Sequence, residues 1–209
     1  MMTFAAAVLA GGQSRRMGRD KAFLLVGGRL LIERTLATLE RRFPEVLIVA
    51  NEVGKYAHLG RPVAADLRPG AGALGGIYTA VALAARPATH VFLCACDMPF
   101  LDERLIDLLV RQVGAGAPVD VVVPEDPSAP DSSAGLHPLC AVYSRRVLPA
   151  IERSLAAGRL KVIGFYDDVV VRRVGPDAFS AAGVSPRALM NTNTPEELAR
   201  AERLLAAGG

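Results

Sequence analysis

The chain has 209 residues, of which 51% are apolar and 22% charged; this is a composition for one folded globular domain and excludes a disordered chain. A net charge of +3 and 5% aromatics, with no tryptophan, exclude the basic stripe interleaved with aromatics that a nucleic-acid surface needs. No apolar run reaches spanning length and the Met-Met-Thr-Phe start lacks a basic leader region, which predicts a cytoplasmic protein with no membrane partner.

Phe4 to Leu9 is a short apolar run ending in glycines, the pattern of a strand buried in a parallel sheet. It leads into VLAGGQSRRMGRDK, residues 8–21, where a Gly11-Gly12 turn is followed by Arg15, Arg16, Arg19 and Lys21. Such a turn lets the backbone approach a ligand, and the cations behind it suit phosphate. Neither familiar phosphate loop is present. Gly18 is followed by Arg19 where a P-loop needs Gly-Lys-Ser/Thr, and Gly11-Gly12-Gln13 breaks the dinucleotide pattern G-x-G-x-x-G. Lys21 stands out because the chain has 21 arginines and only three lysines. A flexible ammonium acting as a point charge on phosphate is one reason to keep a lysine here; the alternative is a plain surface lysine like Lys55 and Lys161.

Leu30, Leu31, Thr35, Leu36 and Leu39 recur at helical spacing, and Pro44 follows that helix. Val46 to Ala50 reads as a second strand, and Val63 to Ala65 as a short third that runs into Asp66 and four glycines in residues 70–76. A helix is predicted from about Gly75 to Ala85, then a strong strand from His90 to Cys96 followed by Asp97-Met98-Pro99. The second half predicts a helix over Asp102 to Val113, strands over Val119–Val123 and Leu139–Tyr143, a helix over Arg145–Ala157 and a strand over Val169–Val174. Pro124 to Gly135 has loop composition. Thr194, Pro195 and Glu197 form a capping box with proline at the first helical position, so a last helix starts there.

Strands alternating with helices imply βαβ crossovers, hence an α/β fold with a mostly parallel sheet covered on both faces. Ligands of such sheets sit beyond the carboxyl ends of the strands. The loops after Leu9, Ala50, Ala65 and Cys96 are therefore expected on one rim, carrying Gly11, Gly12, Lys21, Asn51, Asp66 and Asp97. Asp97, after the most apolar strand, suits Mg²⁺, which takes few protein carboxylates and fills its octahedron with water and phosphate oxygens. Its alternative use, capping the next helix, falls more naturally to Asp102. Asp66 suits either a metal's water shell or ribose hydroxyl, or an Asx-turn. Cys94, Cys96 and Cys140 lack zinc spacing and read as buried free thiols. The chain has three histidines and shows no nucleophile elbow or Cys-His pair, so transfer without a covalent intermediate fits. An attacking phosphate needs no general base, and the protein then only positions and neutralises two anions.

At these residues the sequence resembles a known family. Leu9-Ala10-Gly11-Gly12, Ser14, Arg16-Met17-Gly18 and Asp20-Lys21 are similar to the opening motif of molybdenum cofactor guanylyltransferases, MobA-like nucleotidyltransferases of Rossmann-like, three-layer αβα fold. Val49-Ala50-Asn51, Asp66 with Leu74-Gly75-Gly76, Cys96-Asp97-Met98-Pro99-Phe100, His137-Pro138-Leu139 and Asn191-Thr192-Asn193-Thr194-Pro195-Glu196-Glu197-Leu198 follow in the family's order. The resemblance implies Mg²⁺-dependent transfer of GMP from GTP to the terminal phosphate of the molybdopterin cofactor, releasing pyrophosphate. It implies nucleotide contacts by Leu9, Ala10, Gly11, Gly12, Arg16, Lys21, Asn51, Asp66 and Asp97, with Lys21 and Asp97 catalytic and Asp97 on the metal. His137, Asn191 and Asn193 would face the pterin, although His137 can equally be structural and Asn193 suits turn chemistry. Residues 1–100 would form the GTP and Mg²⁺ half and 101–209 the cofactor half, with molybdenum-insertion and molybdoenzyme-maturation proteins as further partners. The rivals are a cytidylyltransferase of the same cofactor, another small phosphate-ester nucleotidyltransferase, and an inactive nucleotide-binding regulator. This chain has Gly72-Ala73-Leu74-Gly75-Gly76 where the family often has Gly-Pro-Leu-Ala-Gly.

Overall fold

The computed structural model describes residues 2–10, 20–126 and 135–207. Gly11, Gly12 and Arg16 of the first loop, and residues 127–134 of the predicted 124–135 loop, lie outside the described residues. In chain order the elements are β1 (Phe4–Leu9), a 3-10 turn (Lys21–Phe23), β2 (Leu25–Val26), β3 (Arg29–Leu30), α1 (Leu31–Glu40), β4 (Val46–Val49), α2 (Val53–Tyr56) and β5 (Val63–Ala64). They continue with α3 (Gly72–Leu83), β6 (His90–Ala95), α4 (Glu103–Val113), β7 (Val121–Pro124), β8 (Cys140–Ser144), α5 (Leu148–Ala156), β9 (Val171–Val174), α6 (Pro176–Ala181) and α7 (Pro195–Ala206).

A seven-stranded sheet runs in the order β5-β4-β1-β6-β8-β7-β9. The first four are mutually parallel, β8 is antiparallel to both neighbours, and β7 and β9 are parallel. Period-2 alternation sends Ala6 and Val8 of β1 and Phe92 and Cys94 of β6 to one face, against Ile32 and Leu36 of α1 and Leu105 and Leu109 of α4. Ala5, Ala7, Val91 and Leu93 face the other way, against Leu74, Ile77 and Val81 of α3 and Ile151 of α5. A sheet with a core on each face explains the unbroken apolar runs of β1 and β6, and it gives the three αβα layers expected.

Helix starts follow their caps. Asp102 Oδ1 accepts the Arg104 amide at 2.8 Å and caps α4, which leaves Asp97 free of that duty. Thr194 Oγ1 accepts the Glu197 amide at 3.2 Å and Glu197 Oε2 accepts the Thr194 amide at 3.1 Å, the reciprocal box that opens α7. Sequence periodicity missed the β2–β3 hairpin, whose strands are two residues each and whose turn glycines, Gly27 and Gly28, have φ of 58° and 73°. That double left-handed turn is the twist-matched hairpin turn, and the signal for it was the Gly-Gly pair rather than any alternation.

α3 begins at Gly72, three residues before the predicted start, and so carries Gly75 and Gly76 inside its first turns. A Cβ at Gly75 would lie 2.7 Å from the Arg68 carbonyl oxygen and 2.9 Å from Asp66 Oδ2, and one at Gly76 3.1 Å from Leu9 Cδ1. The paired glycines therefore let α3 seat against both the Asp66 loop and the end of β1. Gly75→Ala is expected to destabilise the protein by ~1–3 kcal/mol through this overlap, read as a lower urea midpoint with an unchanged denaturant slope.

Candidate functional site

A cleft of about 600 Å³ opens beyond the carboxyl ends of β1, β4 and β6. Its walls include Leu9, Ala10, Lys21, Asn51, Asp66, Gly76, Asp97, Leu139 and Asn193, so the described residues of the loops expected on one rim do meet there. Leu139 and Asn193 bring the second half of the chain into the same cleft. A second cleft of about 600 Å³, between α1 and the start of α4 and lined by Arg29, Arg34, Arg41, Arg42 and Arg104, contains none of the candidate site residues.

Asp97 stands two residues past β6 and its side chain is 14% exposed. Its carbonyl oxygen accepts both the amide (3.0 Å) and the hydroxyl (3.2 Å) of buried Thr192, which fixes the backbone at the strand exit. Burial pushes its carboxyl above the usual carboxylate range, against the opposing pull of the Lys21 ammonium, whose Nζ lies 3.4 Å from Oδ2. Lys21 also donates to Asn193 Oδ1 at 2.6 Å.

Lys21 starts the 3-10 turn that Asp20 caps. Asp20 Oδ1 accepts the Ala22 amide at 3.2 Å and Oδ2 accepts the hydroxyl of fully buried Tyr56 at 2.9 Å. Burial and that bond push the Tyr56 phenol far above its ordinary value, so it stays a donor and the turn stays anchored to α2. The Asp20-Lys21 pair thus divides the labour: one carboxylate holds the turn while the ammonium enters the cleft.

Asp66 Oδ1 accepts the Arg68 amide at 2.9 Å and the Thr79 hydroxyl at 2.7 Å, and Thr79 Oγ1 in turn accepts the Leu67 amide at 2.9 Å. The Asx-turn reading is therefore satisfied on one oxygen, while the residue still lines the cleft. Asn51 is exposed at the mouth, beyond β4. The Leu9 carbonyl and Ala10 amide are taken up by Cys96 N at 3.1 Å and Val49 O at 2.8 Å. The sheet itself thus uses part of the backbone expected to face a nucleotide.

Neither His137 nor Asn191 lines the cleft. His137 Nε2 and Asn191 Oδ1 are buried and have no hydrogen-bond partner among the described residues. Burial lowers the His137 imidazole below its ordinary value, which favours the neutral ring. The thiols of Cys94, Cys96 and Cys140 are free and buried, and desolvation pushes that of Cys140 up to about 12, so these are core groups.

Among the described residues no group of three or more His, Cys, Asp or Glu side chains could hold a metal ion. No helix among the described residues is long and apolar enough to cross a membrane. Sequence reasoning missed three supports of the cleft: Tyr56, Thr192 as the anchor of Asp97, and Glu197 acting on Asn193. Glu197 carried a signal through its capping box and Thr192 through the Asn191–Leu198 motif, whereas Tyr56 carried none.

The pattern of the family described as "MobA-like NTP transferase domain" matches residues 6–169. A protein named molybdenum cofactor guanylyltransferase from Desulfosudis oleivorans is 37% identical over 202 residues, covering 96% of this chain and 95% of the relative. The solved structure of molybdopterin-guanine dinucleotide biosynthesis protein A from Archaeoglobus fulgidus matches with a TM-score of 0.80 at 25% identity, over 98% of this chain and all of that one. The 2-C-methyl-D-erythritol 4-phosphate cytidylyltransferase of Thermus thermophilus shares the fold, with a TM-score of 0.70 at 21% identity over 99% of this chain and 100% of that one.

Proposed function

Because the chain belongs to the family of MobA-like NTP transferase domains and is a nucleotidyltransferase, we propose that it transfers GMP from GTP to the terminal phosphate of the molybdopterin cofactor. The observation that carries this reading is the convergence of Lys21 Nζ and the largely buried Asp97 carboxylate, 3.4 Å apart, in a cleft at the carboxyl ends of parallel strands. In the proposed reaction a phosphate oxygen of the acceptor attacks the α-phosphorus of GTP. The bond from that phosphorus to the β-bridging oxygen breaks, and pyrophosphate leaves with the electron pair. The attacking oxygen is already anionic, so no side chain has to remove a proton.

Lys21 lies along the triphosphate and offsets charge that grows on the leaving pyrophosphate. Asp97 is the group suited to hold Mg²⁺, which when bound supplies further neutralisation of phosphate oxygens. Asn51 and Asp66, on the same walls, are left to contact the nucleoside, with Gly11, Gly12 and Arg16 as further nucleotide contacts. The acceptor occupies the side formed by residues 101–209. Leu139 and Asn193, which line the cleft from that half of the chain, support this placement.

Titration calorimetry with GTP, CTP, ATP and UTP, each with Mg²⁺ and each with EDTA, tests the reading. GTP is expected to bind at least about tenfold more tightly than the others, and only with the metal. Preference for CTP would reassign the base and leave the mechanism standing. Absence of nucleotide binding would overturn the function.

A further inference from the structure

The segment Thr192–Thr194 touches both Lys21 and Asp97. Thr192 holds the carbonyl of Asp97, and the next residue, Asn193, accepts Lys21 Nζ at 2.6 Å. The ammonium has only donors, so the amide oxygen of Asn193 must face it. Glu197 Oε2 accepts the backbone amides of Asn193 at 2.5 Å and Thr194 at 3.1 Å, so the carboxylate that opens α7 also fixes where Asn193 stands. Further along, α7 carries the hairpin that follows the Lys21 turn. Gly27 N donates to Glu202 Oε2 at 3.1 Å, and Val26 and Leu31 bury against Ala201, Leu198 and Leu205. The helix thus grips the Lys21 segment both directly and through Asn193.

Lys21 therefore has two partners of different kinds, a neutral oxygen at 2.6 Å and a carboxylate oxygen at 3.4 Å. Asp97 would hold a divalent cation with the same carboxylate that Lys21 now pairs with, and the two positive charges would repel each other there. Until the triphosphate itself meets the ammonium, a lysine with no second acceptor would either keep hold of Asp97, competing with the cation, or swing out of the cleft. We infer that Asn193 is a positioning residue whose side-chain oxygen holds Lys21 in the cleft when a divalent cation brought by the nucleotide takes its place at Asp97, so that the carboxylate can be released to that cation. The inference rests on the nucleotidyl-transfer reading above and adds to it a hand-over between two cations at one carboxylate.

The test is Mn²⁺ affinity, followed by the electron paramagnetic resonance of the free ion, on the full chain with the α,β-methylene analogue of GTP. Asn193→Ala is expected to weaken Mn²⁺ binding about tenfold, the lower range seen when the surroundings of a metal ligand are disturbed. Asn193→Asp retains an oxygen for Lys21 and adds negative charge, so it should bind Mn²⁺ at least as tightly as the wild type. With Lys21→Ala already in place, Asn193→Ala should cost nothing further, because the competitor is gone. A structural role for the amide would weaken binding in both Asn193 variants and in either background, and that pattern overturns the inference, as does wild-type affinity in Asn193→Ala. If the wild-type protein binds no Mn²⁺ with the nucleotide, the underlying reading fails instead. Thermal melts of each variant separate unfolding from lost affinity, and the Asp variant remains decisive should the Ala variant not fold.

Discussion

Replacing Asp97 by asparagine is expected to abolish metal-dependent transfer and, in EDTA, to make the protein more stable at neutral pH. The two effects have one cause. Burial raises the carboxyl of Asp97 above its usual range, which means that the charged form carries an unfavourable desolvation in the native state that Lys21 offsets only in part. A carboxyl raised in the folded state contributes stability that is full below its unfolded value, near 3.9, and is lost as pH rises through the folded one. Asparagine never ionises and escapes that loss, while its amide still offers an oxygen to Lys21 and its backbone carbonyl still accepts from Thr192. Urea midpoints should therefore favour Asp97→Asn at about pH 7.5 and converge with the wild type toward about pH 3. Transfer should fall by at least ~10²-fold, since disturbing only the surroundings of a metal ligand already costs up to that much. Near-normal turnover in the variant would remove Asp97 from the metal. A variant less stable at neutral pH would mean that the Lys21 pair outweighs the burial.

What could be read in the sequence was whatever is local. The apolar runs of β1 and β6 announced strands buried on both faces, and the caps at Asp102 and Thr194 marked helix starts because a capping side chain bonds an amide two or three residues away. The shared rim followed from topology, since parallel strands with crossovers bring their carboxyl ends together. The bonds that set the cleft's geometry are another matter. Lys21 and Asn193 are 172 residues apart, and Asp20 and Tyr56 are 36 apart; no periodicity or turn signal links such pairs. Asn193 in particular reads locally as a turn residue, and only its seat opposite Lys21 draws it into the cleft. The glycines of α3 show the same limit: their spacing is plain in the sequence, but that Gly75 makes room for Asp66 and Arg68 depends on how the loop folds back.

Lys21→Ala should depress turnover by about 10²–10³-fold, close to 3 kcal/mol, while the KM for nucleotide changes far less. The split follows from what the ammonium does in the proposed reaction. In that reaction ground-state binding of the triphosphate would be shared with other groups, whereas the charge that accumulates on departing pyrophosphate would need a cation already in place. Lys21 is such a cation, held by the capped turn on one side and by Asn193 and Asp97 on the other, with a side chain 19% exposed. Charge alone does not suffice, and Lys21→Arg makes the distinction. In a chain that carries 21 arginines and three lysines, a guanidinium would be the ordinary choice if any cation served. Its planar fork cannot sit between an oxygen at 2.6 Å and one at 3.4 Å as a single ammonium does, because five fixed donors would need acceptors in a part-buried site. The arginine variant should therefore recover little, remaining at least about tenfold below the wild type in kcat. Full recovery would show that the site asks only for positive charge, and an unchanged rate in Lys21→Ala would leave the lysine with a purely structural place in the turn.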